Sequence, residues 1–415
     1  MLLNRLRAME WMQRCEVDVM IASSPVNVQY LTDFQLWVTN VFRRYMVSPG
    51  DSDARLPLYA VLTSQGETSL VVHQECELNA ADLWVKQRYV YGADAEEDAT
   101  MDTWSPIQVA ESSEAFQRSW NRYNTANEAL ANVLRDNDLG SARIGIEASG
   151  MTGEDLEAIK DALPNAQIRD SSTLFRLIRM VKSAEEQKRL KAAASIAETA
   201  ALESLKLAQP HRSFQEIIQS YREQLARDGA DLDHFAFSAQ GTGMATEIDY
   251  RLSEREVSLI DFGCVYKNYY SDAGLTLVLG EPDQRTRDIY RTLNECVTSA
   301  AELLRPGTLA ADVQAHMANV FASAEIKNEF PHGHGLGLDV RDYPILVPDN
   351  GRRIKDECVD LPANLPLEEG MLLNLEAPVL GIGNRAFQLE QTYLVTPTGG
   401  EPITNRDLAN PFVVG

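Results

Sequence analysis

Histidine is scarce in this chain, with six among 415 residues, and positive charge is outnumbered, with 38 lysines and arginines against 61 acids. The formal net charge of −23 argues against the dense basic patches with which proteins neutralise nucleic acid or anionic lipid. No apolar run approaches the roughly 18 residues that a membrane-spanning helix needs. The N-terminal MLLNRLRAMEWMQRCE breaks its apolar character with Arg5, Arg7 and Glu10 before a secretory core can form, so a cytoplasmic setting is expected. The five cysteines (Cys15, Cys76, Cys264, Cys296, Cys358) are odd in number, widely spaced and free of any CxxC pair. That excludes a disulfide framework and a thiolate zinc site, leaving reduced, mostly structural thiols. Repeats of solenoid length and low-complexity tracts are also missing.

What remains is a chain long enough for two cores. The first part reads as α/β: an amphipathic helix over Leu2 to Arg14, an apolar run Val17 to Ala22, and a strand pair in Leu56 to Leu62 and Ser69 to His73. Arg143 to Glu147 adds a strand and Gly153 to Leu163 a helix. Near residue 180 an Ala/Leu-rich helix begins, with Ser183 and Glu186 spaced as a capping box. We therefore expect domains over 1–176 and 177–415. Ser213 and Glu216 are spaced for a second capping box, on a helix ending near Gly229. A third helix spans Asp283 to Leu304, ahead of the breaker Pro306-Gly307. Two hairpins follow the pattern of alternating strands, VSLIDFGCVYKNYYSDAGLTLVLG turning at Lys267-Asn268 and MLLNLEAPVLGIGNRAFQLEQTYLVT turning over Gly381 to Asn384.

Those hairpins carry acids where strands are otherwise apolar. Asp261 and Asp272, eleven residues apart, can face one pocket across the first turn, and Glu376 and Glu390 repeat the arrangement in the second. Paired acids in apolar strands repel one another unless a cation lies between them. FPHGHGLGLDVRDYP supplies His334, flanked by glycines that permit close approach, with His332 two residues earlier as a neighbouring or substrate-facing group. Carboxylates with one imidazole suit manganese, iron(II), cobalt or zinc.

In order, IDFG, SDAGLT, GHGLGLDVRD, NLEAPV and LEQTYLV resemble the methionine aminopeptidase, aminopeptidase P and prolidase superfamily, and IASSPVNVQYLTDF resembles the creatinase/prolidase N-terminal domain. The resemblance implies an α/β (α+β) protein, with an RNase-H-like N-terminal domain before a pita-bread catalytic domain. It also implies two divalent ions held by Asp261, Asp272, His334, Glu376 and Glu390, and a homodimer. In such dimers one subunit's N-terminal domain approaches the neighbouring site, for which FQLWVTNVFRRYM, Phe34 to Met46, is the candidate.

Two positions depart from that pattern. Peptidases of the superfamily carry a histidine seven residues after the ligand histidine, where this chain has Arg341, and another within the segment that here reads GTGMATEIDYRLSEREVSLID. Arg341 is a permanent cation suited to a substrate carboxylate or an oxyanion, or to pairing with Asp339 or Asp342, and it cannot shuttle protons. The expected activity is metal-dependent hydrolysis of a C–N bond in a small peptide-like substrate, Xaa-Pro peptidase-like. In it Glu376 is the general base, Arg341 the anion anchor and His332 a further catalytic candidate. The alternatives are a non-peptidase member, either a creatinase- or ectoine hydrolase-like enzyme or a dimethylsulfoniopropionate lyase-like enzyme with Tyr250, Asp249 or Tyr343 as base, and an inactive binding protein.

Overall fold

A computed structural model describes residues 1–36, 56–80, 83–92 and 121–415. They form two compact units, Met1–Arg179 with Ile354–Leu361, and Met180–Arg353 with Pro362–Gly415. Among the described residues no helix is long and apolar enough to cross a membrane. All five cysteines are free, and Cys15, Cys76, Cys264 and Cys296 are buried.

The first unit runs α1 (Arg5–Arg14), β1 (Val19–Ala22), α2 (Pro25–Thr32), β2 (Tyr59–Thr63), β3 (Thr68–His73), β4 (Gln87–Tyr91), β5 (Asn121–Tyr123), α3 (Ala126–Asp136), β6 (Arg143–Ile146), α4 (Gly153–Ala162), β7 (Gln167–Asp170) and α5 (Ser172–Arg179). Its sheet has the order β5-β4-β3-β2-β1-β6-β7. The pairs β1–β2 and β2–β3 are antiparallel and the others parallel. Central strands β1 and β2 are buried at every residue, as their unbroken apolar sequences require of strands packed on both faces. Buried Glu147 accepts from the backbone N–H groups of Ser23 and Ser24 at 2.9 Å each, and from Asn27 Nδ2 at 2.6 Å. It thereby fixes the entry to α2. Phe34 is fully buried, and residues 37–46 of the aromatic run lie outside the described residues.

The second unit repeats one plan, a helix pair followed by strands. Helices α6 (Ala184–Leu205) and α7 (Phe214–Arg227) precede β8 (Asp231–Ala239), β9 (Thr242–Ala245), β10 (Val257–Tyr266), β11 (Tyr269–Tyr270) and β12 (Ala273–Leu279). Helices α8 (Gln284–Ala301) and α9 (Ala310–Ser323) precede β13 (His332–Gly335) and β14 (Asp342–Leu346). After β15 (Arg353–Lys355) and β16 (Asp360–Pro362), the chain closes with β17 (Leu372–Ile382), β18 (Arg385–Thr396), β19 (Gly399–Pro402) and β20 (Phe412–Val414). The main path of its sheet is β14-β13-β17-β18-β12-β10-β8-β9. Ala193, Ala197, Ala200 and Ala201 of α6 are buried against Phe235, Ile260 and Phe262, small side chains that let the helix approach the sheet closely.

Both turns read from the sequence are present. Lys267 and Asn268 have φ of 49° and 65° between the paired Tyr266 and Tyr269, as a type I′ hairpin requires. The second hairpin closes with Ile382 opposite Arg385. Two expectations need correcting. Ile354–Leu361, placed by the sequence with the C-terminal part, groups with the first unit, where Glu357 and Asp356 accept from the backbone N–H groups of Asp170 and Thr173. At α7, Ser213 caps the helix through Gln215 N–H, yet Glu216 does not reach back. Glu216 accepts from Arg212 at 2.7 Å, and the Ser213 hydroxyl donates to Asp249 at 2.8 Å.

At α6 the reciprocal box forms: Ser183 accepts from Glu186 N–H, and Glu186 accepts from Ser183 N–H at 2.8 Å. Buried Glu186 also accepts from the Tyr269 hydroxyl at 3.2 Å, joining the cap to the first hairpin. Ser183→Ala is expected to lower the stability of the second unit by about 1 kcal/mol, read from its denaturant transition.

Candidate metal centre

Strand register brings the acids together. His332 lies opposite Glu376, Glu376 opposite Glu390, Glu390 opposite Gly274, Gly274 opposite Asp261, and Asp261 opposite Ala236. Cross-strand partners share a face of the sheet, and so do residues two apart along a strand. The row from β13 to β8 therefore collects His332, Glu376, Glu390 and Asp261, with His334 and His234 two residues along their own strands and Asp272 just ahead of β12, two residues before Gly274. Glycine at position 274 is required by this crowding, because a Cβ there would stand 2.7 Å from Glu390 Oε2.

Polar contacts run through the cluster. His334 Nε2 is 3.3 Å from Asp272 Oδ2 and 3.1 Å from Glu376 Oε1. Its Nδ1 lies 2.9 Å from the Gly335 carbonyl, which can only accept, so Nδ1 carries the proton and Nε2 is the atom available to a cation. Glu376 Oε1 also accepts from Arg341 Nη2 at 3.2 Å, and Glu376 Oε2 is 3.2 Å from His332 Nε2. Glu390, 1% exposed, accepts through Oε1 from Asn374 Nδ2 and through Oε2 from Gln388 Nε2 at 2.6 Å. On the far side, His234 Nε2 is 2.8 Å from Asp261 Oδ1 and 3.5 Å from Asp272 Oδ1, while its Nδ1 is 2.8 Å from Asp233 Oδ2.

The electrostatics are those of crowded acids. Burial, then repulsion from Asp272, Asp261 and Glu376, drives the Glu390 carboxyl far above the usual carboxylate range. Burial also raises Asp261, with Asp272 and Glu376 adding to the effect and His234 opposing it. Burial works on Glu376 in the same direction, but His334, His332 and Arg341 outweigh it and hold this carboxyl low. For the imidazoles burial disfavours charge, yet their acid partners prevail and hold His234 up at about 10 and His334 at about 9. Oxygen and imidazole donors with uncompensated negative charge fit divalent cations of the manganese, iron, cobalt and zinc type.

Residues 188–397 match the family model described as metallopeptidase family M24, and residues 4–181 match the creatinase/prolidase N-terminal domain. The chain belongs to metallopeptidase family M24. Its relatives include an Xaa-Pro dipeptidase of Pyrococcus horikoshii, 26% identical over 277 residues that cover 65% of this chain and 74% of that one. An uncharacterized peptidase of Staphylococcus aureus strain MRSA252 is 27% identical over 247 residues, 57% of this chain and 66% of that one. The structure of an Xaa-Pro dipeptidase from Bacillus anthracis superposes with a TM-score of 0.71 at 17% identity, covering 99% of this chain and 100% of that one, a likeness of fold. This M24 metallohydrolase thus has a creatinase-type N-terminal domain followed by the pita-bread fold, and its family uses divalent metal ions.

Asp261, Asp272, His334, Glu376 and Glu390 all reach this one cluster of the M24 unit, and His332 and Arg341 join it through Glu376. His234 joins the cluster although the segment just before Asp261 holds no histidine: it arrives from the neighbouring strand, opposite Gly263. The alternation in DLDHFAFSA is the signal that puts His234 on the face of Ala236. The elimination bases fare differently. The Tyr250 hydroxyl donates to Glu256 at 2.9 Å and Asp249 accepts from Ser213 at 2.8 Å, so both serve the packing around α7 and the strands beside it.

A linkage follows from the raised values. Carboxyls held high in the folded state, Asp261 and Glu390, contribute stability that is complete below the ordinary carboxylate pKa of about 4 and lost as pH rises toward the folded values. Imidazoles held at about 9 and 10 contribute stability that is complete below about 6.5 and lost as pH rises through the folded values. Both act in one direction. Metal-free protein is expected to lose thermal stability from about pH 6.5 to pH 9, and added Mn2+ to raise Tm more at pH 8 than at pH 5.5, by scanning calorimetry.

Proposed function

We propose that this M24 enzyme hydrolyses the C–N bond of a small peptide-like substrate, of the Xaa-Pro dipeptide class or close to it. Asp261, Asp272, His334, Glu376 and Glu390 would hold two divalent ions of manganese, iron, cobalt or zinc. When bound, such ions polarise a carbonyl and lower the pKa of water enough to supply a nucleophile near neutral pH. The observation that carries the reading is the convergence on Glu376: one carboxylate touched by His334, Arg341 and His332, directly across from Glu390. The relatives named Xaa-Pro dipeptidase support the substrate class.

In this reaction Glu376 stays ionised, because the Arg341 guanidinium and the cations it would help to hold oppose its burial, and it would take the proton of the attacking water and return it to the departing amine. His332, with Nδ1 held 2.9 Å from the Phe330 carbonyl, presents Nε2 to Glu376 and would orient that carboxylate for the ions it helps to hold. Arg341, half-exposed and bonded to Glu376, extends a planar donor fork suited to a substrate carboxylate. Asn374 and Gln388 hold Glu390 in place from both oxygens. A homodimer working in the cytoplasm belongs to the same reading.

Metal-loaded wild type is expected to turn over at least one member of a dipeptide, imidodipeptide and amide panel. Glu376→Gln should lower kcat by about 10^2- to 10^4-fold, and Arg341→Ala should act mainly on KM, by roughly tenfold or more. Complete inactivity of the loaded wild type across the panel would overturn the assignment.

A further inference from the structure

We propose that His234 is a sixth protein ligand of the metal centre, oriented by Asp233. The inference rests on the reading that Asp261 and its four companions hold divalent ions, and it adds an imidazole on the side opposite His334.

Three observations carry it. An ion with bonds of about 2.0–2.2 Å holds neighbouring ligand atoms roughly 2.8–3.6 Å apart. His234 Nε2 stands 2.8 Å from Asp261 Oδ1 and 3.5 Å from Asp272 Oδ1, and the three residues offer atoms within 4.8 Å of one another. His334 Nε2 stands in the same relation to Asp272 Oδ2 and Glu376 Oε1, at 3.3 Å and 3.1 Å. Asp272 therefore turns one oxygen toward each imidazole, as a carboxylate shared between two positions would.

The second observation is the hydrogen bond behind the ring. Histidines that bind metals generally pass their other N–H to a carboxylate or a carbonyl, which fixes the tautomer and the ring plane. Asp233 does this for His234 at 2.8 Å, and the Gly335 carbonyl does it for His334 at 2.9 Å. Space is the third. Gly263 pairs with His234 across the strands, and a Cβ there would lie 2.6 Å from His234 Cε1. The absence of a side chain at 263 is what lets the ring lie over β10 toward Asp261.

With His234 included, each position receives one imidazole: His234 with Asp261 and Asp272, and His334 with Asp272 and Glu376. An imidazole makes the Asp261 side more selective for zinc, cobalt and iron over magnesium and calcium than carboxylates alone would.

The test titrates Co2+ into the metal-free full-length protein by calorimetry and counts imidazoles per cobalt by X-ray absorption, for wild type, His234→Ala, His234→Gln and Asp233→Asn, with circular dichroism to check folding. Glutamine carries an amide N–H to about the place of Nε2, which faces Asp261, and so separates a hydrogen-bonding role from ligation. Expected are a loss of at least tenfold in affinity for one equivalent in both His234 variants, a fall in the imidazole count, and a loss of about 10- to 100-fold in Asp233→Asn. Unchanged affinity and imidazole count in the His234 variants would overturn the proposal while leaving the five-ligand centre standing. Absence of uptake by wild type would overturn the centre, and His234 with it. Should both His234 variants unfold, Asp233→Asn decides alone: unchanged affinity and count overturn the proposal, and the stated loss supports it.

Discussion

Like charge gathered in a low-dielectric interior is the constraint on which the second unit depends. Asp261, Glu376 and Glu390 lie on strands of one sheet and Asp272 lies just ahead of its strand β12, and two of them, Glu376 and Glu390, are direct cross-strand partners. Such pairs destabilise a sheet unless positive charge lies between them. The chain answers in part with His234, His334 and Arg341, and with the amides of Asn374 and Gln388, which hold Glu390 without neutralising it. Burial and mutual repulsion still hold the carboxyl of Asp261 above the ordinary carboxylate range and that of Glu390 well above it. Divalent cations relieve that strain where apolar packing cannot, so the fold of this unit and the family's metal requirement express one piece of electrostatics.

Register does the positioning. Turns at Lys267-Asn268 and Gly383-Asn384 set which residues of each hairpin face one another, and the pairing of Gly274 with Glu390 joins the hairpins. A slip of one residue in either would turn its acids to the opposite face. The amides are placed by the same rule, since Asn374 lies two residues from Glu376 on β17 and Gln388 two from Glu390 on β18. Helix α6 steadies the arrangement from behind, through its alanine face and through Glu186 bonded to Tyr269 beside the first turn.

How much of this was legible in the sequence varied with the range of the interaction. Hairpin turns, the Ser183 cap and the grouping of the four acids depend on residues close together or on a pattern of acids in apolar strands, and local chemistry records both. His234 escaped because its relation to Asp261 rests on pairing between β8 and β10 across an intervening stretch that includes β9, and one-dimensional spacing does not encode that register. Ser213 misled for another reason: its hydroxyl and Glu216 each found a partner, Asp249 and Arg212, which competes with the reciprocal cap. The excursion Ile354–Leu361 shows the same limit at the level of domains, since its place in the first unit is made by long-range contacts, among them the backbone hydrogen bonds that Glu357 and Asp356 accept from Asp170 and Thr173.

Arginine at position 341 changes what the centre can do with protons. A histidine there could bind a substrate oxygen and give up or recover a proton near neutral pH, whereas a guanidinium only donates hydrogen bonds and stays charged. In the proposed hydrolysis every proton movement then falls to Glu376, and Arg341, bonded to that same carboxylate, helps to keep it ionised. A substrate carboxylate that drew Arg341 toward itself would weaken this hold and raise the basicity of Glu376 at the moment the substrate is seated. Binding of the anionic end and activation of the base would thus be coupled through one side chain, a coupling that a titrating histidine could provide only over part of the pH range.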